Sequence, residues 1–490
     1  MAQFDLSKTK IISGLQCVKR LYLHVHQPQL AEISELSNRL ITIGYGVQET
    51  ARGLHPEGEL IGHEADLREA LQQTRKFLQG EEDRVLFEPA IEHLRVAVRS
   101  DLLFRKRNRY RINEVKASTQ VKSYHYNDVA IQQWVIEGAG FPVKSVILSH
   151  VDNQFVYQGD GDYRGLFKDV NVTDEAESLQ EQVPQWVLDL HKVLAGPVPE
   201  IAMGPQCSDP FECEFRQYCG RGLHPQPEYP VTLLPNATGV VAKLLEKGYQ
   251  DLRDVPESEL SSARHKWIWR ITRSGTPGLE PQAAKVLREL EHPRFYLDFE
   301  TVQFAVPIWA GTRPYEQLPF QWSCHIETEG GETVHKEFLD SSGVSPLRAF
   351  AESLIATLGE CGAIVVYGAF EATILQGLIA RFPDLKVPLT KIRNRIRNLL
   401  TIARQHYYHR DMKGSWSLKS VLPTVAPDLN YENLGEVQDG GGAQAAYLEI
   451  IDPATGQERR AQLEKSLRDY CGRDTLALVR IVRTFEGRTA

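Results

Sequence analysis

"VAVRSDLLFRKRNRYRINEVKAST", residues 96–119, reads as a β-hairpin: an alternating strand to Leu103, a basic turn Arg105–Asn108, and a second strand from Tyr110 to Ser118. Asp101 lies near the end of the first strand. Glu114 and Lys116 stand two apart on the second, so they share one face. Two carboxylates and an ammonium therefore converge. Carboxylate oxygens suit a hard divalent cation, and a lysine beside it can orient a water aimed at phosphorus. An exposed strand with an i, i+2 ion pair has the same E-x-K signature; Asp101 across the turn sets the hydrolase reading beside that one.

The chain around this hairpin has 490 residues. At roughly 150 residues per domain, about three domains are expected. Hydrophobic residues make up 42% and charged residues 24%, an ordinary globular balance. The net charge of -8 argues against coating nucleic acid wholesale, but it is compatible with acidic metal sites and local basic patches. Asp5, Lys8, Lys10, Lys19 and Arg20 interrupt any signal-peptide core. No apolar run reaches about 18 residues, so a cytoplasmic chain without a membrane partner is expected.

In a reducing compartment, clustered cysteines are ligands or redox groups before they are disulfides. "GPQCSDPFECEFRQYCG", residues 204–220, holds Cys207, Cys213 and Cys219, five residues between neighbours. Zinc and a cubane iron–sulfur cluster both need a fourth ligand. Cys17 is the candidate, in "KTKIISGLQCVKRLYL" (8–23), where Ser7 or Thr9 can cap a helix and Ile11, Ile12, Leu15, Val18 and Leu21 keep its period. Joined to Cys17, the triplet would clip the two ends of one domain together. A zinc knuckle completed by His191 or His224 is the other reading, although no C-x-x-C pair is present. Cys324 and Cys361 read as core thiols and Cys471 as a helical one.

The order of Cys17, Asp101, Glu114-x-Lys116, Gln132 in "DVAIQQWVIEGAG" (128–140) and the cysteine triplet resembles the RecB-like PD-(D/E)XK nucleases. The likeness covers about residues 1–222 and is greatest to the branch with an iron–sulfur clasp, the CRISPR-associated and AddB-type exonucleases. It implies a restriction-endonuclease-like core, with Asp101 and Glu114 as ligands of Mg²⁺ or Mn²⁺. Lys116 would serve the attacking water, Gln132 would help position them, and Cys17, Cys207, Cys213 and Cys219 would hold a [4Fe-4S] cluster. Two positions depart from that pattern. "GYGVQETARGL" (44–54) offers Gln48 and Glu49 where relatives have a metal-binding histidine, and Ile136 stands where they often have tyrosine.

A proline-rich span, "RGLHPQPEYPVTLLPN" (221–236), marks the next boundary. Residues 223–290 read as short helices around Gly248. They resemble helix-hairpin-helix elements that hold a phosphate backbone through main-chain amides, or they form a plain helical linker.

Residues 291–490 open on "RFYLDFETV" (294–302), a strand with Asp298 and Glu300 on one face. "AIVVYGAFEATILQGLI" (363–379) is a buried strand running into a helix that carries Glu371. "LEKSLRDYCGRDTLALVRIVRTF" (463–485) is an amphipathic helix with Tyr470 and Asp474 on one side. This order resembles the DnaQ-like DEDDy exonucleases of the ribonuclease H fold. The resemblance implies that Asp298, Glu300, Glu371 and Asp474 hold two metal ions about 4 Å apart, with Tyr470 orienting the water. Glu371 stands where relatives have Asp, and so does Asn398 in "RIRNLLTIA" (395–403). With "KGSWSLKSVLP" (413–423), the combination is similar to a bacterial two-nuclease family of unassigned function.

The expectation is an α/β multidomain chain: a metal-dependent exonuclease with two active sites, cutting phosphodiester bonds of DNA, or RNA, at single-stranded ends. "RKRNRYR" (105–111) and "KIRNRIR" (391–397) would meet phosphates, and Tyr407, Tyr408 and Trp416 would stack bases. The rival class is a nucleic-acid-binding or redox-sensing iron–sulfur scaffold with one or both sites degenerate.

Overall fold

The 96–119 segment forms strands Val96–Arg99, Leu102–Lys106 and Arg109–Lys116 in the computed structural model, which describes residues 6–62, 66–80, 82–221, 227–429, 431 and 434–488. The expected first arm is split. Val96–Arg99 pairs with Leu6–Ser7 and Ala90–His93 in a small three-stranded sheet. The hairpin itself joins Leu102–Lys106 to Arg109–Lys116 through Arg107 and Asn108. Both turn residues have positive φ, 47° and 60°, the two-residue turn whose twist matches antiparallel strands.

The chain divides into two compact units, residues 1–223 with 304–316 and residues 224–303 with 317–490. In the first, the hairpin lies at the centre of a mixed six-stranded sheet. Its order is Glu59–Leu60, Arg84–Phe87, Leu102–Lys106, Arg109–Lys116, Val143–Val151, Phe167–Asn171. Both faces of Arg109–Lys116 are covered. Tyr110 and Ile112 join a core with Val129, Ala130 and Leu190, while Val115 faces Val47, Phe87, Val151 and Ala305. A central strand covered on both sides loses the clean alternation of a surface strand.

Ser7 caps helix Lys8–Gln16, its hydroxyl accepting from the Lys10 amide at 3.3 Å. Gly14 lets that helix lie tight on Val183–Ala195, where an added Cβ would come within 2.5 Å of Leu190. The single helix expected through Cys17 is in fact two. Cys17 is extended (φ -160°, ψ 117°) between Lys8–Gln16 and Val18–His26, a break that apolar periodicity does not register. Residues 304–316 belong to this unit. Tyr157 and the 311–312 backbone exchange hydrogen bonds of 3.0 and 2.7 Å, and the Tyr163 hydroxyl donates to the Pro307 carbonyl at 3.1 Å.

The second unit is built on a five-stranded sheet ordered Thr333–Leu339, Leu318–Glu327, Arg294–Val302, Ile364–Val366, Ile396–Asn398. The first three strands are antiparallel and the last two run parallel to Arg294–Val302. Helix Gln457–Phe485 packs along it. Helices Thr238–Glu246 and Ala263–Ser274 flank two short 3-10 turns, Leu252–Asp254 and Glu257–Glu259. Leu244, Leu252, Val255, Ile268 and Trp269 from this segment share one buried cluster with Tyr296, Val365, Leu478 and Phe485. Among the described residues no helix is long and apolar enough to cross a membrane.

Candidate functional site

In the first unit, four elements bring polar side chains to one end of the sheet. Asp101 accepts from the Val115 amide at 2.7 Å and from Gln48 Nε2 at 2.9 Å, so Gln48 is tied to the carboxylate. Glu114 is 2% exposed. Its Oε1 meets Lys8 Nζ at 2.6 Å and Lys116 Nζ at 2.8 Å, and its Oε2 accepts from Gln132 Nε2 at 2.8 Å. Asp128, one turn before Gln132, takes Lys116 Nζ at 2.5 Å and Lys8 Nζ at 3.1 Å.

All four residues expected here come together, and Lys8 and Asp128 join them. Asp128 had a signal in its i, i+4 spacing from Gln132. Lys8, more than a hundred positions from Glu114, had none. Burial pushes Asp101 well above the usual carboxylate range, with the Glu114 charge adding to it. For Asp128 burial pushes the same way, but Lys116 and Lys8 outweigh it and hold the group low. Ile136 is plain core.

Cys17, Cys207, Cys213 and Cys219 line one cavity of about 20 Å³, with Lys19, Arg20 and Arg216 around it. His191 is not among its lining residues, and His224 lies outside the described ones. Burial, chiefly, and the neighbouring thiol Cys17 push Cys213 and Cys219 up. The 204–219 loop is also tied down by Gln16 Nε2, which donates to the carbonyls of Gln206 (2.8 Å) and Phe211 (2.7 Å). Arg20 Nε donates to Glu214 at 2.9 Å and His24 pairs with the same carboxylate. Burial alone would raise Glu214, yet His24 and Arg20 hold it at about 2.

In the second unit a cavity of about 970 Å³ is lined by Arg264, Asp298, Arg404, Lys419, Tyr470 and Asp474, among others. Asp298 reaches it from strand Arg294–Val302 and Asp474 from Gln457–Phe485; Glu300 on the same strand and Glu371 in the first turn of Phe370–Arg381 lie behind them, close enough for their charges to act on one another. No described cation ion-pairs with any of the four carboxylates. Glu371 is 3% exposed and its Oε2 has no hydrogen-bond partner. Burial pushes Glu371 up to about 7, with the Asp474 charge adding to it. Burial lifts Asp474 to about 6 against the hydroxyls of Tyr431 and Tyr470, which lower it. Asp298 and Glu300 are raised well above the carboxylate range by burial and by their acidic neighbours.

Cys471 also belongs here. Its Sγ lies 3.5 Å from Asp298 Oδ2. Among the described residues, Asp298, Glu300 and Cys471 form the one trio of metal-ligating groups within 4.8 Å of each other. Tyr431, whose hydroxyl donates to Asp474, and Lys419, over the rings of Tyr431 and Tyr470 at 5.5 and 5.7 Å, were not anticipated. Lys419 falls inside the 413–423 motif; Tyr431 had no signal.

Residues 295–417 match a domain of unknown function, DUF2779. The DUF2779 segment holds Asp298, Glu300 and Glu371 and stops short of Tyr470 and Asp474. The chain is also 24% identical over 217 residues to the uncharacterized protein MG366 homolog of Mycoplasma pneumoniae, across 40% of this chain and 32% of that protein. It thus spans about a third of the length of the curated relative it matches.

One expectation within the DUF2779 segment, the stacking platform, is corrected by burial. Tyr407 and Tyr408 are core residues at 3% and 0% exposure and offer no face to a base; Trp416, 7% exposed with its Nε1 donating to the Tyr407 carbonyl at 2.8 Å, is mostly buried but lines the cavity. In the 391–397 run, Arg395 donates to the carbonyls of Gly362 (2.7 Å) and Gly359 (2.6 Å) and Lys391 pairs with Glu360 at 2.8 Å. Arg395 thus holds the turn after helix Leu347–Leu358, while Lys391 and Arg397 stay exposed. Cys361 is exposed rather than a core thiol, whereas Cys324 is buried. Asn398 leaves its Oδ1 buried without a partner.

A pH dependence follows. Folded Glu371 and Asp474 keep protons that the unfolded chain has released, since their ordinary values are 4.5 and 3.8. Metal-free stability is therefore expected to fall as pH rises from about 4 to about 7, because the folded state binds more protons there. Mn²⁺ would neutralise the same charges, so its upward shift of the melting temperature should grow between about pH 5 and pH 8. A shift that stays flat across that range would refute this.

Proposed function

We propose that the chain is a metal-dependent exonuclease that hydrolyses phosphodiester bonds of DNA at single-stranded ends, with one active site in each unit. The observation that carries this reading is the acid set at the second unit's cavity: Asp298 and Asp474 on its wall, Glu300 and the orphaned buried oxygen of Glu371 beside them, and no described cation ion-paired to any of the four. Such a donor set suits divalent oxygen-seeking cations. Mg²⁺ or Mn²⁺ bound there would supply charge neutralisation and an activated water. The chain's own residues do the rest. Asp298, Glu300, Glu371 and Asp474 hold the ions, Tyr470 positions a water by its hydroxyl, and Arg264, Arg404 and Lys419 line the cavity where phosphates would enter.

In the first unit Asp101 and Glu114 would hold the metal, with Lys116 and Gln132 orienting water. One observation favours a second reading for this unit alone. Lys8 and Lys116 already neutralise Glu114 and Asp128, which suits a binding site that does not cut. The test of the whole reading is loss of end-labelled oligonucleotide with Mg²⁺ or Mn²⁺ and none with EDTA. No product with either metal would leave the binding scaffold as the function.

We also assign a [4Fe-4S] cluster to Cys17, Cys207, Cys213 and Cys219. Four thiols on one cavity suit either that cluster or zinc. A tetrahedral zinc with bonds of about 2.3 Å would draw its thiolates to within about 4 Å of each other, and no three of these approach within 4.8 Å. Anaerobically purified protein is expected to be brown, and Cys17→Ala to lose both the colour and the stability of the first unit. Stoichiometric zinc without iron after anaerobic reconstitution would overturn the assignment.

A further inference from the structure

The "RKRNRYR" run lies at the far end of its strands from Glu114. Arg109 and Glu114 are five residues apart on one strand, about 17 Å at 3.3 Å per residue. There the first unit has a groove of about 960 Å³ whose cations are Arg84, Arg105, Lys106, Arg107, Arg109, Arg111 and Lys144. None of its described acids ion-pairs with the six cations other than Arg84. Glu59 and Glu82 both pair with Arg84, at 2.6 and 2.7 Å. Glu57 lies 3.6 Å from His55 Nδ1 and Asp83 accepts the Arg107 amide at 2.9 Å. The other six cations ion-pair with no described carboxylate.

Two of these six are built into the fold. Arg105 is 5% exposed and donates to the Leu78 carbonyl (3.1 Å) and Asn108 Oδ1 (2.9 Å), while its Nε has no partner. Arg111 lies 3.9 Å over the ring of Phe104, and its Nε is likewise buried and unpartnered. A buried guanidinium with spare donors and no counter-ion is costly to maintain unless an anion completes it. Planar donors beside aromatic rings are the combination that binds a phosphate backbone and its bases.

The geometry points to this groove as a second nucleic-acid contact, a track for the phosphodiester backbone of a single strand, separate from both acidic sites. It rests on the exonuclease reading only for the kind of strand presented. The groove would hold the part of a long strand that a short oligonucleotide lacks.

The test uses the full chain in EDTA, where no cleavage occurs, and a fluorescent single-stranded oligonucleotide titrated at several salt concentrations. Arg109 and Lys144 are exposed, so the double variant Arg109→Ala/Lys144→Ala is expected to fold normally, checked by its melting temperature. Its log Kd should depend less on log salt, the slope shrinking by about 1.4 at roughly 0.7 per lost phosphate contact on a single strand. Arg111→Lys keeps the charge but loses the ring stacking and should weaken binding with the slope unchanged. An unchanged affinity and slope in the double variant would overturn the proposal. So would displacement of the oligonucleotide by inorganic tripolyphosphate or by polyglutamate at equal charge concentration, which would mark a small-anion or acidic-peptide site. Binding lost in the double variant of a chain that degrades nothing would sink the exonuclease reading and leave this one standing.

Discussion

Asp298→Ala is expected to slow nucleotide release from 3′ ends by about 10²–10⁴-fold while any hydrolysis by the first unit continues, and Glu114→Ala is expected to do the reverse. The two acid sets belong to separate units with separate cores, so each substitution removes a ligand from one set only. Folding is a separate matter from activity here. Asp298 is one of four acids that burial holds above the usual range, and the charges of Asp474, Glu300 and Glu371 push it further. Replacing it by an amide removes the cost of burying a carboxylate among other acids. Asp298→Asn should therefore leave the metal-free protein as stable as its parent or more so, while Mn²⁺ no longer raises its melting temperature as far. If either single change silenced all degradation in a folded protein, the two-site reading would fail. If Glu114→Ala changed nothing, the first unit would be a binding site held together by Lys8 and Lys116.

Tyr470→Phe should keep the ring's packing, since Tyr470 is 5% exposed, and remove only the hydroxyl. With a positioning group lost, single-turnover rates at 3′ ends are expected to fall by about 10²–10⁴-fold. Tyr431→Phe is the informative partner, because its hydroxyl bonds the same Asp474. That bond lowers Asp474 against burial, so without it Asp474 should titrate higher and the pH at which metal binding sets in should move up. A Tyr470→Phe rate within about twofold of the parent would show that tyrosine to be a packing residue.

The parts of these sites that could be read from the sequence are those whose geometry is local. Glu114 and Lys116, Asp298 and Glu300, and Tyr470 and Asp474 are paired by the period of one strand or one helix, and those periods fix their faces. Contacts made by the fold were not readable. Lys8 reaches Glu114 only because the helix it starts packs, through Gly14 against Leu190, on helix Val183–Ala195. Tyr431 reaches Asp474 from a loop with no period of its own. Cys471 looked like a helical passenger because helical spacing says nothing of the strand opposite. Burial was the other silent quantity: Tyr407, Tyr408 and Trp416 carry the composition of a stacking platform and the solvent exposure of a core.

Residues 304–316 follow Glu300 by a few positions, yet Ala305 lies in the first unit's core with Val47, Phe87, Leu102 and Val151. A ribosome delivers the chain in order, at about 5–20 residues per second. Leu223 is therefore made on the order of 5–20 s before the last of that segment arrives. During that interval the apolar face meant for Ala305 is uncovered, and the strand bearing Asp298 is already being translated. The unit that begins first is finished by residues encoded past the opening strand of the second, so a chaperone that shields nascent apolar surface has its longest task at the amino-terminal half.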